Sequence, residues 1–295
     1  MHSDIAPAVP HPTAFQDSGP SAPVWDPQQY LRHAGHRTRP FLDLLTRIPE
    51  LPHAAAGADR SARIADLGCG PGNVTALLAE RWPDAHITGF DLSPEMLHRA
   101  GAEYGGPTPG GGRLDFRHAD LAHWMPEETY DLIVSNAALQ WVPSHPGSFA
   151  AWINGLRPGG TFAFQIPGNF TAPSHRLLAE LCDTPRWRDR LAGHGARYVH
   201  LLEPAEYLAR FTELGCAVDV WETTYHQLLQ GADPVLDWVK GTALRPVLTA
   251  LGEDHEAVEG FLSEYRDLLR QAYPTGPRGT VFPFRRIFAV ARKEA

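Results

Sequence analysis

The sequence predicts an α/β fold: a mostly parallel sheet with helices on its faces, an antiparallel last strand, and a largely helical segment inserted near the C-terminus. Three observations carry this. Short apolar runs at 64–67, 86–91, 130–135 and 161–166 alternate with stretches of helical periodicity, the pattern of stacked βα units. The stretch I-A-D-L-G-C-G-P-G-N at 64–73 joins an apolar strand to a helix through three glycines, so the backbone can turn sharply where open α/β sheets bind ligands. Finally, about sixty residues separate the strands expected at 217–223 and 286–291, far more than an antiparallel hairpin needs.

Residues 1–23 are rich in Pro, Ala and Ser and poor in large apolar side chains, so a disordered tail is expected. Residues 30–45 place Leu31, Phe41, Leu42, Leu44 and Leu45 near helical spacing, interrupted by Gly35 and Pro40, which predicts two short helices; in a fold of this kind such helices lie over the ligand cleft. After strand one, Val74, Leu77, Leu78 and Trp82 recur as a helix. Strand two ends at Asp91, and Ser93 with Pro94 start the next helix as N-cap and first-turn proline. A Pro/Gly loop at 105–112 leads to strand three at 113–117, where Leu114 and Phe116 alternate with polar residues. Strand four at 130–135 runs into N-A-A-L-Q-W. A helix at 149–156, an R-P-G-G turn at 157–160 and a strand at 161–166 complete a fifth unit, and an amphipathic helix follows at 203–214.

The C-terminal insertion, 225–280, contains a short helix from Pro234, a turn at Arg245-Pro246, and a long helix whose Val258, Phe261, Leu262, Tyr265, Leu268 and Leu269 form one face before Pro274 stops it. A second insertion covers 167–203. Both leave the C-terminal side of the sheet and are read as a substrate cap on a main domain of 24–224 plus 281–295.

The glycine turn narrows the ligand. A dinucleotide fingerprint needs a glycine where this chain has Asn73, which counts against nicotinamide or flavin. What remains is D-x-G-x-G-x-G beginning at Asp66, and Asp91 falls 19 residues after Gly72, close to the offset of about 20 at which a carboxylate grips a ribose hydroxyl. Asp120, at the end of strand three, suits an exocyclic adenine amine, with the Leu121 amide beside it; Asp is equally apt as a turn cap there.

Composition excludes several classes. A net charge of −8 argues against a nucleic-acid backbone as partner, and 43% hydrophobic residues suffice for a packed core. Cys69, Cys182 and Cys216 are isolated, without C-x-x-C spacing, so neither a disulfide framework nor a structural metal is expected. No apolar run has the length of a membrane span, and the first 31 residues contain no Lys or Arg, so no targeting segment is expected. The reading is a cytoplasmic monomer or weak homodimer acting on a small molecule.

Six stretches together carry a family resemblance: W-D-P-x-x-Y-L at 25–31, G-H-R-T-R-P-F at 35–41, A-D-L-G-C-G-P-G-N at 65–73, S-N-A-A-L-Q-W-V at 135–142, W-E-T-T-Y-H-Q at 221–227 and F-P-F-R-R-I-F at 282–288. Over 24–292 the chain resembles the trans-aconitate 2-methyltransferases, within the class I S-adenosylmethionine-dependent methyltransferases; the glycine motif is common to the whole class. The resemblance implies a Rossmann-like sheet and a cofactor, S-adenosylmethionine, held by Asp66, Gly68, Gly70, Gly72, Asn73, Asp91, Leu92, Met96, Asp120, Leu121 and Asn136. It implies methyl transfer to a carboxylate of trans-aconitate, giving a monomethyl ester and S-adenosylhomocysteine. A carboxylate is already ionised at neutral pH, so no general base is required and no catalytic residue beyond positioning groups is expected. The substrate's carboxylates call for arginine forks. The candidates are Arg37, Arg245 and Arg286, with Tyr30, Gln140, Trp141, Tyr225 and His226 beside them. Arg285 and Arg286 alternate on a strand, so only one can face the cleft. Another small di- or tricarboxylic acid, or S-adenosylmethionine binding without turnover, fits the same residues.

Overall fold

The structure, a computed structural model, describes residues 34–52, 61–194 and 201–294. Its elements are α1 (Ala34–Arg47), β1 (Arg63–Leu67), α2 (Thr75–Arg81), β2 (His86–Asp91), α3 (Pro94–Tyr104), β3 (Gly106–Pro107), β4 (Arg113–His118), β5 (Tyr130–Asn136), a 3-10 turn (Leu139–Trp141), α4 (His145–Asn154) and β6 (Leu156–Pro167). These are followed by α5 (Pro173–Cys182), α6 (Arg188–Leu191), α7 (Pro204–Glu213), β7 (Cys216–Leu229), α8 (Pro234–Lys240), α9 (Arg245–Leu251), α10 (His255–Ala272), β8 (Thr275–Gly276) and β9 (Gly279–Lys293).

The sheet order is β3-β4-β2-β1-β5-β6-β9-β7, with β8 paired to β9. Strands β4, β2, β1, β5 and β6 are parallel, in a register that sets Ile64 between Ile87 and Leu132. Antiparallel β9 then lies between β6 and β7. The C-terminal ends of the parallel strands therefore share one edge with the C-terminal end of β7, and the inserted helices leave from that edge.

Three apolar clusters hold the fold. On one sheet face, Phe41, Leu44 and Ile48 of α1 and its extension join Leu78, Ile64, Leu132 and Phe288. On the other, Phe149, Trp152, Phe162, Phe164, Tyr207 and Phe211 form an aromatic core, with Phe149 and Phe211 centroids 4.5 Å apart. Each such ring contributes about 1.5–3 kcal/mol by leaving water. The third cluster lies in the inserted helices, around Trp187, Trp238, Phe261, Tyr265 and Phe282. There the Tyr265 hydroxyl donates to the Ser174 carbonyl at 2.7 Å and the Ser174 amide donates to the Tyr273 hydroxyl at 3.1 Å. Arg190 pairs with Asp254 at 2.8 Å, so both insertions build one layer.

Several elements differ from the sequence expectation. Among the described residues, Ala34–Arg47 is one helix that Pro40 does not interrupt, and the start of the stretch expected to hold two helices lies outside them. An interior proline costs about 3 kcal/mol, and the burial of Phe41, Leu44 and Leu45 offsets it. The described part of this helix packs on the sheet face beside β6 and β9. Strands β7 and β9 extend to Leu229 and back to Gly279, because the alternation of buried Tyr225, Gln227 and Leu229 with exposed His226 and Leu228 continues past residue 223. The inserted segment is therefore 230–278 rather than 225–280. Arg245-Pro246 is the first turn of α9, where proline's missing amide is harmless, and 157–160 forms an irregularity within β6. The tail expected at 1–23 lies outside the described residues.

Candidate active site

Asp66 sits at the end of β1 with 1% exposure. The Thr75 hydroxyl donates to its Oδ2 at 2.7 Å, while buried Oδ1 has no partner among the described residues. Burial pushes this carboxyl up to about 7; the Thr75 hydrogen bond opposes the shift and nearby Asp91 adds to it. The turn beyond is shaped by its glycines. At Gly68 the backbone is left-handed, φ +80°, and a Cβ would lie 2.1 Å from that of Ala138, so this position locks the β1 turn against the loop after β5. At Gly70, φ +55°, nothing lies within 4 Å of a built Cβ: the turn opens into free space there. Gly72 packs under α3 against Ala100, and Asn73 is half-buried just before α2.

Asp91 faces this turn. The Gly70 amide donates to its Oδ2 at 2.9 Å and the Ser93 amide to its Oδ1 at 2.9 Å. Each carboxylate oxygen still has a lone pair for a further donor. Leu92 beside it is 51% exposed, whereas Met96 is buried under the turn. Asp120 is exposed and builds the turn after β4: its Oδ1 accepts from the Ala122 amide at 2.9 Å and its Oδ2 lies 3.0 Å from His123 Nδ1. The Ala122 hydrogen bond is the main reason its carboxyl falls below the ordinary range. The turn-cap role that Asp equally suits is thus the one its contacts display, and Leu121 is buried in the core.

After β5 the chain turns through Ala137, a non-glycine residue at φ 53°, a conformation that side chains occupy at a cost. Gln140 Nε2 donates to the Ala137 carbonyl at 2.6 Å and braces this turn. Asn136, Gln140 and Trp141 form one wall of a cleft of about 730 Å³, counting the open space at its mouth. Asn169 and Phe170 after β6 and His175 of α5 form the second wall, Trp238, Val239 and Thr242 the third, and Phe284 with Arg286 the floor.

Arg286 is 5% exposed, with its guanidinium carbon 4.6 Å from the Phe284 ring centre. Its Nη1 donates to Gln165 Oε1 at 3.1 Å, and Gln165 Nε2 donates in turn to Asn136 Oδ1. An arginine can only donate, so the orientation of both amides follows. A chain of hydrogen bonds thus joins the cleft's buried cation to the loop that packs on Gly68. Arg285 points to the opposite face, held by Glu203 and Glu222, each at 2.6 Å.

Other expected substrate residues stand elsewhere. His226 is exposed on the far face of β7, since neighbours on a strand point oppositely and Tyr225 points inward. Tyr225 does not line the cleft: its hydroxyl donates to Asp43 Oδ2 of α1 at 2.6 Å and Arg39 stacks on its ring. Burial, then the Asp43 contact, raises its hydroxyl well above the ordinary range. Arg245 is half-buried at the start of α9 and is not among the lining residues. Tyr30 and the Arg37 side chain lie outside the described residues. Conversely, Asn169 and His175 line the cleft, and Gln165 lies behind it in contact with Arg286 and Asn136, although no spacing motif marks them. The signal that finds Asn169 is its place just past the C-terminal end of β6, the edge at which the other site residues also lie. Burial pushes His175 down to about 4, so its ring is neutral at neutral pH.

Residues 64–160 match a family model described as a methyltransferase domain. The trans-aconitate 2-methyltransferase of Streptomyces avermitilis is 64% identical over 275 residues, covering 93% of this chain and 99% of that one. Its counterpart in Streptomyces coelicolor is 63% identical over 273 residues, covering 92% and 88%. The crystal structure of the YcgJ protein from Bacillus subtilis shares the fold, with a TM-score of 0.50 at 17% identity over 80% of this chain and 93% of that one. This chain belongs to the trans-aconitate 2-methyltransferase family.

Proposed function

We propose that this protein transfers a methyl group from S-adenosylmethionine to a carboxylate of trans-aconitate, releasing the monomethyl ester and S-adenosylhomocysteine. The observation that carries the reading is a buried arginine in a cleft lined by the loop after β5, whose Ala138 abuts Gly68 of the glycine turn, in a chain 64% identical to an enzyme of that name. The turn fits the cofactor: Asp66 Oδ1 is buried without a partner where a cationic group would satisfy it, and Gly70 leaves room for close approach. Asp91 keeps lone pairs that would accept from ribose hydroxyls, Leu92 would offer an apolar edge, and Asp66, Gly68 and Asn136 would hold the amino-acid end. When bound, the cofactor supplies an electrophilic methyl on a sulfonium.

The chain's own residues then have a positioning task. The attacking carboxylate is ionised at neutral pH, so no side chain need take a proton, and neutral His175 is not required as a base. Arg286 would hold a carboxylate through its guanidinium, and Gln140 and Trp141, which line the same cleft, would confine the acid. Placement of this kind can lower a barrier by about 7–11 kcal/mol when alignment is good. The helices α5 and α6 of one insertion and α8, α9 and α10 of the other act as the cap that excludes water from a weak nucleophile. We read the protein as a cytoplasmic monomer or weak homodimer that needs neither nucleic acid nor membrane; the net charge of −8 supports this, and no described helix is long and apolar enough to cross a membrane.

The test is incubation with methyl-labelled S-adenosylmethionine and a panel of di- and tricarboxylic acids, scored for base-labile ester. Preferential labelling of trans-aconitate is expected. Labelling of a different acid refutes the substrate, and cofactor binding without any ester refutes the enzyme.

A further inference from the structure

Asn169 is the most strongly buried polar side chain in the cleft that has no evident structural task. It is 4% exposed, and both its Oδ1 and its Nδ2 lack a hydrogen-bond partner among the described residues. Leaving a buried polar group unsatisfied is costly enough that most such groups in folded proteins find partners. The carbonyl of Asn169 accepts the Ala172 amide at 3.0 Å and so shapes the turn into α5, but that contact uses the backbone and would survive any side chain. Asn169 is among the residues that line the cleft, with its amide buried among packed atoms.

Its place relative to Arg286 is set by the sheet. Pro167 is the register partner of Arg286, Gln165 two residues earlier meets the Arg286 guanidinium, and Asn169 stands two residues after Pro167, lining the cleft with both Pro167 and Arg286. A tricarboxylate that offers one carboxylate to the methyl and a second to the arginine fork has a third to satisfy. A neutral amide donor suits it, since the Nδ2 hydrogens can each point to a carboxylate oxygen.

We propose that Asn169 is a substrate-binding residue whose amide donates to a carboxylate of the acid other than the one methylated. This rests on the methyl-transfer reading above and assigns one of its contacts. Asn169 carries no charge, and on this assignment its effect falls on the acid and not on the cofactor.

The test compares Asn169→Leu, Asn169→Asp and Asn169→Ala with the wild-type protein in steady-state methylation of trans-aconitate. The Michaelis constants for acid and cofactor are measured separately, and melting temperatures without ligand are recorded. Loss of a hydrogen bond to a charged group predicts an acid KM raised about ten- to hundredfold in Asn169→Leu, with the cofactor KM within about twofold. Asn169→Asp, which sets a carboxylate against an anion, should be worse. Asn169→Leu should also melt no lower than wild type, because it removes two unsatisfied groups; Asn169→Ala, which makes a cavity instead, keeps the kinetic test open if leucine does not fit. An unchanged acid KM, or acid and cofactor constants rising together, overturns the assignment while the function stands. Wild-type protein that forms no ester with trans-aconitate overturns the function and the assignment together.

Discussion

Replacing Asp66 with asparagine separates the stability of the cofactor site from its function. Asp66 is ionised in the unfolded chain above its ordinary value of 3.8, but in the folded protein burial holds its pKa at about 7. Between those limits the folded state binds the extra proton, so stability is fully present below about pH 4 and falls as pH rises to 7. A shift from 3.8 to about 7, at about 1.4 kcal/mol per unit, makes the loss at most about 4 kcal/mol. Asparagine keeps an oxygen for the Thr75 hydroxyl and has no charge to bury. The stability of Asp66→Asn relative to wild type should therefore grow by up to about 4 kcal/mol between pH 4 and 7 and then level off, as measured by urea unfolding across that range. Cofactor affinity should move the other way. A cationic group beside Oδ1 favours the ionised carboxyl, so wild-type affinity should rise through pH 7, and Asp66→Asn should bind the cofactor at least tenfold more weakly by calorimetry. If the stability difference does not change with pH, the carboxyl is not held protonated and the account of the site's charge is wrong.

Three further outcomes follow from the geometry. Arg286→Leu should raise the acid KM about a hundredfold or more with little change in that for the cofactor, and should lower stability by about 1–3 kcal/mol because Gln165 Oε1 loses its donor; kinetics and urea unfolding report the two effects. Gly68→Ala combines a left-handed φ with a Cβ 2.1 Å from that of Ala138, so it should destabilise the protein by about 1–3 kcal/mol, and an unshifted melting temperature would contradict the packing. His226→Ala should leave both Michaelis constants within about twofold, since the ring lies on the exposed face of β7; a large rise in either would return that residue to the site.

What could be read from the residues depended on whether a local pattern determined the structure. The apolar runs of β1, β5 and the 161–166 part of β6 are buried on both faces, so their strand character shows without knowledge of neighbours, while β2 shows by its alternation of buried and half-buried residues. The turn from Asp66 to Gly70 was legible for the same reason, since glycine spacing reflects a backbone need. Pro40 misled because a propensity rule prices the helix alone, whereas α1 is decided by the sheet surface that Phe41 and Leu44 cover. His226 lies on the exposed face of β7, and strand periodicity, applied to Arg285 and Arg286, also keeps Tyr225 and His226 from facing the same side. Asn169 and His175 were not legible by spacing, because their roles arise where β6, α5 and α8 meet, and that meeting is tertiary.

The path from Arg286 through Gln165 to Asn136 explains why a substrate-side residue on the last strand can matter to a loop after the fourth parallel strand. Each link has a fixed sense. The guanidinium has only donors, so Gln165 must present Oε1 to it and Nε2 to Asn136, whose Oδ1 is thereby occupied. Asn136 is thus left to face the cleft with its amide hydrogens, and it precedes Ala137, whose amide in turn donates to the Gln165 carbonyl at 2.8 Å. Gln165 is fully buried and grips the same loop through its side chain and its backbone. Ala138, one residue on, abuts Gly68, so the chain from cation to glycine turn passes through packed atoms throughout. A glutamate at 165 would keep the arginine contact but reverse the second link, facing Asn136 with a carboxylate oxygen and turning its amide. The three strands that hold these residues, β5, β6 and β9, are adjacent in the sheet, which makes the spacing between the acid's anchor and the cofactor's loop a property of strand register rather than of loop conformation.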